Sequence, residues 1–304
     1  MTAIQVNKLS KSYDKGNIIA LKEIDLSIQP GEVYGLIGPD GAGKTTLLRI
    51  LASLLLPESG TARVLGFDPV LDYKELRKII GYMPGRFSLY QDLSVEENLQ
   101  FFATVYKSDI KTNYHLIKEL YDQLVPFKDR RAGKLSGGMK QKLALCCALI
   151  HEPKVLLLDE PTTGVDPVSR REFWDMLMRL KERGITIVVS TPYMDEAKLC
   201  DRISLIQLGS ILETGTPQEI RKRSGKKLYA VDADEKYSSL VTIRAYPGTF
   251  SCYAFGDKHH VQLKSGTAED LSVFLKSNGV QNFEIFEIEP DIEDIFMDKL
   301  SRLQ

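Results

Sequence analysis

The sequence predicts an α/β protein in which a large domain is followed by a smaller α+β domain. The first observation is the length of 304 residues, because a domain typically holds roughly 100–200 residues. The second is that helical segments separate short apolar runs such as Val33–Ile37 and Val155–Leu158, as expected of strands buried in a sheet. The third is a helical pattern across about residues 88–150, which predicts a helical insert.

The N-terminal part of the chain is predicted to be mainly β-structure. Residues 2–30 alternate apolar and polar side chains in short runs, which is a strand signature. Val33–Ile37 then leads directly into a glycine-rich turn, and Thr45–Ser53 has the pattern of a helix. The breakers that follow indicate a turn-rich stretch: Pro57, Gly60, Gly66 and Pro69.

The helical insert begins with a capping signal, Ser94 followed three residues later by Glu97. Its predicted helices are Asn98–Tyr106, Tyr114–Leu124 and Gly137–Ile150. Beyond the insert, the chain returns to buried strands on either side of a helix that Gly184 ends. These elements are the strands Val155–Leu158 and Ile185–Ser190 and the helix Val168–Arg183.

A charged, glycine-containing link at Arg221–Lys227 predicts the domain boundary. The large domain would comprise residues 1–223 and the smaller one residues 226–304. After the link, the elements follow a β-α-β-β-α-β order, which is typical of a ferredoxin-like module. They are Leu228–Asp232, Glu235–Ala245, Phe250–Phe255, His260–Leu263, Ala268–Ser277 and Phe283–Ile288, with a last helix at Ile292–Leu300.

Composition narrows the possible partners. The 40 Lys and Arg residues balance 41 Asp and Glu residues, which disfavours a nucleic-acid partner because such proteins usually carry a basic surplus. The cysteines are expected to be buried and reduced, since none forms a C-x-x-C pair: Cys146, Cys147, Cys200 and Cys252. The longest apolar stretches, Leu47–Leu56 and Leu143–Ile150, are far shorter than the ~20 residues of a spanning helix. Any transport role therefore requires a separate membrane protein.

A phosphate-binding loop is the strongest local signal, because residues 38–45 fit G-x-x-x-x-G-K-[ST] between a strand and a helix. Glycines let backbone N–H groups turn toward phosphate oxygens, and the helix N-terminus adds partial positive charge. Lys44 would reach the β- and γ-phosphates, and Thr45 would offer a hydroxyl to Mg²⁺. The predicted nucleotide-binding residues here are Gly38, Pro39, Asp40, Gly41, Ala42, Gly43, Lys44, Thr45 and Thr46.

Two carboxylates end the apolar strand Val155–Leu158. Asp159, at the tip of the strand, is placed to hold Mg²⁺. Glu160 follows it and would polarise the attacking water, which makes Glu160 the candidate catalytic residue.

A second anion-binding helix end is predicted at Ser136-Gly137-Gly138, with Gln141 in the first turn of the helix that follows. Ser136 is a natural N-cap, and the glycines expose backbone N–H groups. One ATP does not obviously need two such sites. An ordinary capped helix remains the alternative interpretation.

Four segments occur in one order: GPDGAGKTT, LSGGMKQK, VLLLDEPTTGVD and STPYMDEA. Through them, residues 2–223 resemble the nucleotide-binding domain of the ATP-binding cassette (ABC) family. VLGFDP and the tail IEDIFMDKL are similar to bacterial efflux ATPases of the daunorubicin-resistance and multidrug-export kind. The resemblance implies a P-loop NTPase core of the ABC ATPase type with an antiparallel β-subdomain and a helical insert.

The resemblance also implies a head-to-tail dimer that sandwiches each ATP between one protomer's phosphate loop and the other's signature helix. The signature residues would then serve the partner's nucleotide: Ser136, Gly137, Gly138 and Gln141. Tyr13 matches the aromatic residue that stacks on adenine, with a tyrosine on the surface of a strand as the alternative, and Asp166 matches the loop at the dimer interface.

The implied cofactors are ATP and Mg²⁺. The implied partners are an integral-membrane permease and a second ABC ATPase subunit, with no nucleic acid, and the implied location is the cytoplasmic face of the cell membrane. The segment Phe87–Tyr90, beside the insert, is apolar enough to receive a helix of the permease. The alternative is that this segment belongs to the core of the insert.

The sequence departs from the family at two positions. Gly85 stands where the family has a glutamine that contacts Mg²⁺ or water, and Pro192 stands where it has a histidine that donates to the γ-phosphate. Loss of one transition-state donor typically costs about 10²–10³ in rate. One hypothesis is therefore a site that binds ATP but hydrolyses it slowly. The alternative is a rewired site in which other residues substitute: Arg86, Gln91, Thr191 or Tyr193.

Three functions fit these features. The first is the ATPase subunit of an exporter. The second is an ABC protein acting on ribosomes or DNA, which the single cassette and balanced charge disfavour. The third is an ATP-dependent dimerisation or regulatory module with little hydrolysis, which the changes at Gly85 and Pro192 keep open.

Overall fold

The computed structural model describes residues 2–224 and 227–301. The chain forms two compact units, which divide between Thr216 and Pro217. The boundary predicted at residues 223–226 lies at the other end of the helix Pro217–Ser224, which groups with the second unit. Two residues of the predicted link, Gly225 and Lys226, lie outside the described residues.

The first unit contains two sheets. Its strands are β1 (Ile4–Tyr13), β2 (Ile18–Ile28), β3 (Val33–Ile37), β4 (Ser59–Val64), β5 (Ile80–Met83), β6 (Val155–Asp159), β7 (Thr186–Thr191), β8 (Arg202–Gln207) and β9 (Ser210–Gly215). One sheet has the order β2-β1-β4 and is antiparallel. The other has the order β5-β6-β7-β3-β8-β9, and its pairs are parallel except for β8 with β9. The predicted α/β fold with an antiparallel β-subdomain is confirmed.

The helices of this unit are α1 (Lys44–Leu51), α2 (Tyr73–Ile79), α3 (Val95–Tyr106), α4 (Ile110–Leu124), α5 (Gly137–Leu149) and α6 (Pro167–Glu182). Side chains of α1, such as Leu48, pack in one buried cluster with side chains from both sheets, such as Ile4 and Leu157. This packing fixes the start of α1 against the ends of the parallel strands. The four cysteines are buried and unpaired, as predicted.

The turn-rich stretch predicted after α1 contains a strand, β4, which pairs with β1 from Ile4↔Val64 to Asn7↔Thr61. The sequence indicates a chain breaker at Gly60, but a Cβ at that position would lie 2.2 Å from the carbonyl oxygen of Lys8. Glycine therefore marks a close approach of two backbones within the sheet. Pairing with a distant strand outweighed the local turn signals.

The helical insert comprises α3, α4 and α5. The capping box is present, because Ser94 Oγ accepts from the N–H of Glu97 at 3.1 Å and Glu97 Oε2 accepts from the N–H of Ser94 at 2.7 Å. Helix α4 begins four residues earlier than predicted because Asp109 caps it, accepting from the N–H groups of Lys111 and Thr112. None of the helices in the described part of the chain has the length and apolarity needed to span a bilayer.

The second unit has the predicted β-α-β-β-α-β order. Its elements are α7 (Pro217–Ser224), β10 (Leu228–Ala233), α8 (Lys236–Ala245), β11 (Thr249–Phe255), β12 (Lys258–Leu263), α9 (Ala268–Ser277), β13 (Phe283–Ile288) and α10 (Ile292–Ser301). The sheet is antiparallel with the order β11-β12-β10-β13. Residues of α8 and α9 such as Ile243 and Leu271 pack with Val231 and Val261 of the sheet into a separate core.

Candidate functional site

The site lies at the carboxyl ends of parallel strands in the first unit. The phosphate loop follows β3, Asp159 ends β6, and Thr191 ends β7. Because β6, β7 and β3 are neighbours in the sheet, segments from distant parts of the sequence converge at one edge, where open α/β sheets usually bind ligands.

The phosphate loop turns sharply between β3 and α1, and its glycines are required by that turn. Gly43 has φ +108°, and a Cβ there would lie 2.3 Å from the carbonyl oxygen of Ala20. A Cβ on Gly38 would lie 2.2 Å from the carbonyl oxygen of Ile206. The loop is anchored to β7 because the N–H of Gly38 donates to the carbonyl of Thr191 at 3.2 Å. The residues predicted from the motif thus form a tightly packed loop at the start of a helix.

Lys44 lies at the centre of the loop and is only 3% exposed. Its Nζ donates to the carbonyls of Gly38 at 2.7 Å and Pro39 at 2.9 Å, and lies 3.1 Å from Glu160 Oε1. A buried ammonium needs such partners, because an unpaired buried charge is strongly destabilising. The predicted phosphate-binding lysine and the predicted catalytic carboxylate are therefore in direct contact.

Asp159 accepts hydrogen bonds from hydroxyl groups of two other segments. Its Oδ1 accepts from Thr45 Oγ1 at 3.0 Å and from Ser190 Oγ at 2.8 Å, and its side chain is buried. Carboxylate and hydroxyl oxygens are the ligands that Mg²⁺ prefers in proteins, so the donor set suits that ion. Ser190 was not among the predicted site residues. The sequence signal that could have found it is its place at the end of the predicted strand Ile185–Ser190, because ligands of open α/β sheets bind at the carboxyl ends of strands.

Glu160 follows Asp159 in a left-handed backbone conformation, with φ +49°. Its N–H donates to the carbonyl oxygen of Ser190 at 3.0 Å and also to Ser190 Oγ at 3.1 Å. Such a conformation is uncommon in a residue other than glycine and is strained. These contacts hold the turn so that the carboxylate is directed to Lys44 and remains partly accessible to solvent.

The two positions that depart from the family pattern lie next to these groups. A Cβ on Gly85 would be 3.0 Å from the carbonyl oxygen of Asp159 and 3.7 Å from Cβ of Glu160. Pro192 follows Thr191, which anchors the phosphate loop. A side chain at position 85 would therefore adjoin Asp159 and Glu160.

The signature segment lies beside the segment of Asp166. Ser136 caps α5, accepting from the N–H of Met139 at 3.4 Å, and Ser136 and Gly137 are exposed. A Cβ on Gly138 would lie 2.8 Å from Ser169 Oγ, so glycine also permits close packing of α5 on α6. Asp166 caps α6, accepting from the N–H of Ser169, and this hydrogen bond lowers the pKa of the Asp166 carboxyl. Gln141 is half-buried in α5.

Tyr13 ends β1 close to the start of α1. Its hydroxyl is 3.2 Å from Thr46 Oγ1, and the residue is 37% exposed. The ring therefore offers an accessible aromatic face near the phosphate loop. Ile18, which pairs with Tyr13 in β2, is also exposed.

Comparison with known proteins finds a family model and relatives that are ABC transporter ATP-binding proteins. The family model for "ABC transporter" matches residues 21–163. The chain is 40% identical over 302 residues to the probable multidrug ABC transporter ATP-binding protein YbhF of Escherichia coli K12, over 98% of this chain and 52% of YbhF. It is 39% identical over 226 residues to the doxorubicin resistance ATP-binding protein DrrA of Mycobacterium tuberculosis, over 73% of this chain and 68% of DrrA. The chain thus spans only 52% of the length of the first of these relatives.

Solved structures of similar fold are also cassettes. The dimeric, post-hydrolysis ATP-binding cassette MJ0796, bound to ADP and Pi, has a TM-score of 0.64 and 28% identity, covering 70% of this chain and 98% of that one. CbiO1 from Clostridium perfringens, part of the ABC transporter complex cbiONQ, has a TM-score of 0.64 and 29% identity, covering 73% and 92%.

Proposed function

Because this chain belongs to the ABC transporter family, as one of its ATP-binding proteins, we propose that it binds and hydrolyses Mg-ATP to drive a separate permease. The observation that carries the proposal is the convergence of Lys44, Thr45, Asp159 and Glu160 at one edge of the sheet. The names of YbhF and DrrA support export of drugs or similar lipophilic compounds.

Each residue has a task in this proposal. The loop amides and Lys44 bind the β- and γ-phosphates, and Glu160 takes a proton from the attacking water. Asp159 and Thr45 would hold Mg²⁺, with Ser190 orienting the carboxylate. The ion, when bound, neutralises charge that develops on the phosphate oxygens. Among the described residues, no three His, Cys, Asp or Glu side chains gather as a metal site, which fits an ion held partly by nucleotide oxygens.

The proposed assembly is a head-to-tail dimer in which the exposed signature end of α5 completes the partner's site. The dimeric cassette with ADP and Pi supports this arrangement. The permease is proposed to dock beside the helical insert, where Tyr90 and Phe101 are exposed and their rings are 4.7 Å apart. The chain would then lie peripherally on the inner face of the membrane.

Complementation of two inactive variants tests the dimer and the activity together. Lys44→Ala breaks the phosphate loop, and Gly137→Asp places a negative charge at the signature, where a Cβ meets only Gly164 O at 3.4 Å. Each variant alone should hydrolyse ATP at near-background rates. In a 1:1 mixture, half the dimers would be mixed and each would hold one intact site, so about a quarter of the wild-type rate should return. A mixture that stays inactive would contradict the head-to-tail dimer.

The regulatory alternative and the membrane partner need separate measurements. Suppose that light scattering shows ATP-dependent dimerisation and that long single-turnover assays show no hydrolysis. This result would favour a regulatory module over the ATPase subunit of a transporter. Co-purification with an integral-membrane protein after mild detergent extraction would support the permease. Recovery with ribosomes or DNA instead would favour the other class of ABC protein.

Tyr13 provides a test of adenine binding. Base–aromatic stacking is worth about 1–3 kcal/mol, so Tyr13→Ala should raise the Kd for Mg-ATP about 5- to 150-fold. Tyr13→Phe is the matched control, because it retains the ring and removes only the hydroxyl near Thr46. Isothermal titration calorimetry measures both. Equal affinities of wild type and Tyr13→Ala for Mg-ATP would show that the Tyr13 ring does not contact the nucleotide.

A further inference from the structure

A buried carboxylate lies just behind the candidate site without a role assigned to it. Glu196, in the 3₁₀ turn Met194–Leu199, is 1% exposed. Its Oε1 accepts from Thr162 Oγ1 at 2.8 Å, while Oε2 has no hydrogen-bond partner in the described chain. Burying a carboxylate is costly unless its oxygens are satisfied. An incompletely satisfied buried carboxylate therefore calls for an explanation beyond stability.

Arg170 is the cation that faces this carboxylate. It lies on α6, one turn after Asp166, and its Nε is 3.8 Å from Glu196 Oε1. Its Nη2 also donates to Asp195 Oδ2 at 2.9 Å. The guanidinium carbon lies over the ring of Tyr193, 4.9 Å from the ring centroid. One side chain thus contacts three residues of the segment that follows Pro192.

The contacts of Arg170 and Glu196 involve two segments, one after Glu160 and one after Thr191, and each adjoins the candidate site in sequence. Thr162 stands two residues after Glu160, in a turn where the N–H of Thr163 donates to the carbonyl of Glu160 at 3.2 Å. On the other side, the N–H of Tyr193 donates to Thr191 Oγ1 at 3.0 Å, and the carbonyl of Thr191 holds the phosphate loop. The Arg170–Glu196 pair therefore connects α6 with the turns that carry Glu160 and Pro192.

We propose that Arg170, acting through Glu196 and Tyr193, is a positioning residue that fixes the turns after Glu160 and after Thr191 for ATP hydrolysis. Proline at 192 has neither a backbone N–H nor a side-chain donor, so it contributes no donated hydrogen bond that would hold this segment. The inference rests on the proposed function, because the turns it holds are those of the hydrolytic site.

Replacing Arg170 with alanine should lower kcat about 10- to 100-fold, since a misplacement of about 1 Å can cost as much as about 100-fold, with little change in KM for ATP. Arg170→Lys should recover only part of the rate, since an ammonium cannot stack and bridge as the planar guanidinium does. Glu196→Gln keeps an acceptor for Thr162 and removes the charge. Combining it with Arg170→Ala should add little further loss, because the two residues act together. Arg171→Ala is the matched control, since Arg171 is an exposed neighbour on the same helix.

Amide hydrogen exchange gives a readout that does not depend on turnover. Arg170→Ala should raise exchange in peptides covering residues 160–166 and 192–199, and Arg171→Ala should not. If kcat and exchange match wild type, the inference is wrong and the proposed function stands. If wild type itself hydrolyses no ATP in single-turnover assays, the proposed function fails, and the exchange data still decide whether Arg170 positions these turns. A uniform rise in exchange across the first unit would indicate general destabilisation and overturn the positioning role.

Discussion

Replacing Glu160 with glutamine is expected to lower the rate of ATP hydrolysis about 10²- to 10⁴-fold, the usual contribution of a general base. The amide cannot take a proton from water, although it occupies the same space. Lys44 would lose its ion pair at 3.1 Å but would keep the carbonyls of Gly38 and Pro39. Affinity for Mg-ATP should therefore change little. With hydrolysis blocked, an ATP-bound dimer should accumulate.

The measurement combines single-turnover hydrolysis, calorimetry and light scattering. Glu182→Gln serves as the matched control, because it makes the same chemical change at an exposed position near the end of α6. A Glu160→Gln variant that retains a rate within threefold of wild type, a small fraction of the expected change, would show that another group activates the water. If the variant no longer binds ATP, the main role of Glu160 would instead be to stabilise the phosphate loop through Lys44.

Restoring both family side chains, by Gly85→Gln together with Pro192→His, is expected to raise the rate of hydrolysis. Each recovered donor is worth about 10²–10³ in rate. Position 85 adjoins Asp159 and Glu160, and position 192 follows the residue that anchors the phosphate loop. The affinity for Mg-ATP should change much less, because in the proposed site backbone amides would make most of the phosphate contacts.

Two controls separate chemistry from sterics. A Cβ at position 85 would lie 3.0 Å from the carbonyl of Asp159, so this backbone must move slightly, and Gly85→Ala measures that effect alone. Pro192→Ala removes the ring without adding a donor. If wild type already turns over several times per second, within the range of typical enzymes at roughly 1–10³ per second, and the double change does nothing, the slow-site hypothesis is wrong. Thr191 and Tyr193 would then be the first residues to examine for a rewired site.

Much of the site was predictable because its signals are local. A glycine-rich turn before Lys44 and a carboxylate pair ending an apolar strand each occupy a few consecutive residues, and the structure places them at the ends of β3 and β6. The capping box at Ser94 and Glu97 was predictable for the same reason. Such features depend on backbone geometry over one turn.

The features that sequence reasoning missed depend on distant pairing. Strand β4 forms despite Gly60 because β1 supplies its hydrogen bonds. Gly138 was predicted for its exposed amide, and its close contact with Ser169 of α6 could not be anticipated. Ser190, Arg170 and Glu196 belong to no sequence motif that indicates a role. Their roles follow only from the residues that they contact in the folded chain.

The sequence by itself determined which chemical groups are present, namely a phosphate loop, two adjacent carboxylates and a second helix end with exposed amides, and which two family side chains are missing. Only the tertiary structure decided that Thr45 hydrogen-bonds to Asp159, 114 residues away, that Ser190 also donates to Asp159, and that Arg170 faces Glu196 nearby. The physical reason is that turn and capping preferences act between near neighbours in the chain, whereas the distance between two remote side chains is set by strand order and by the packing of the helices on the sheet.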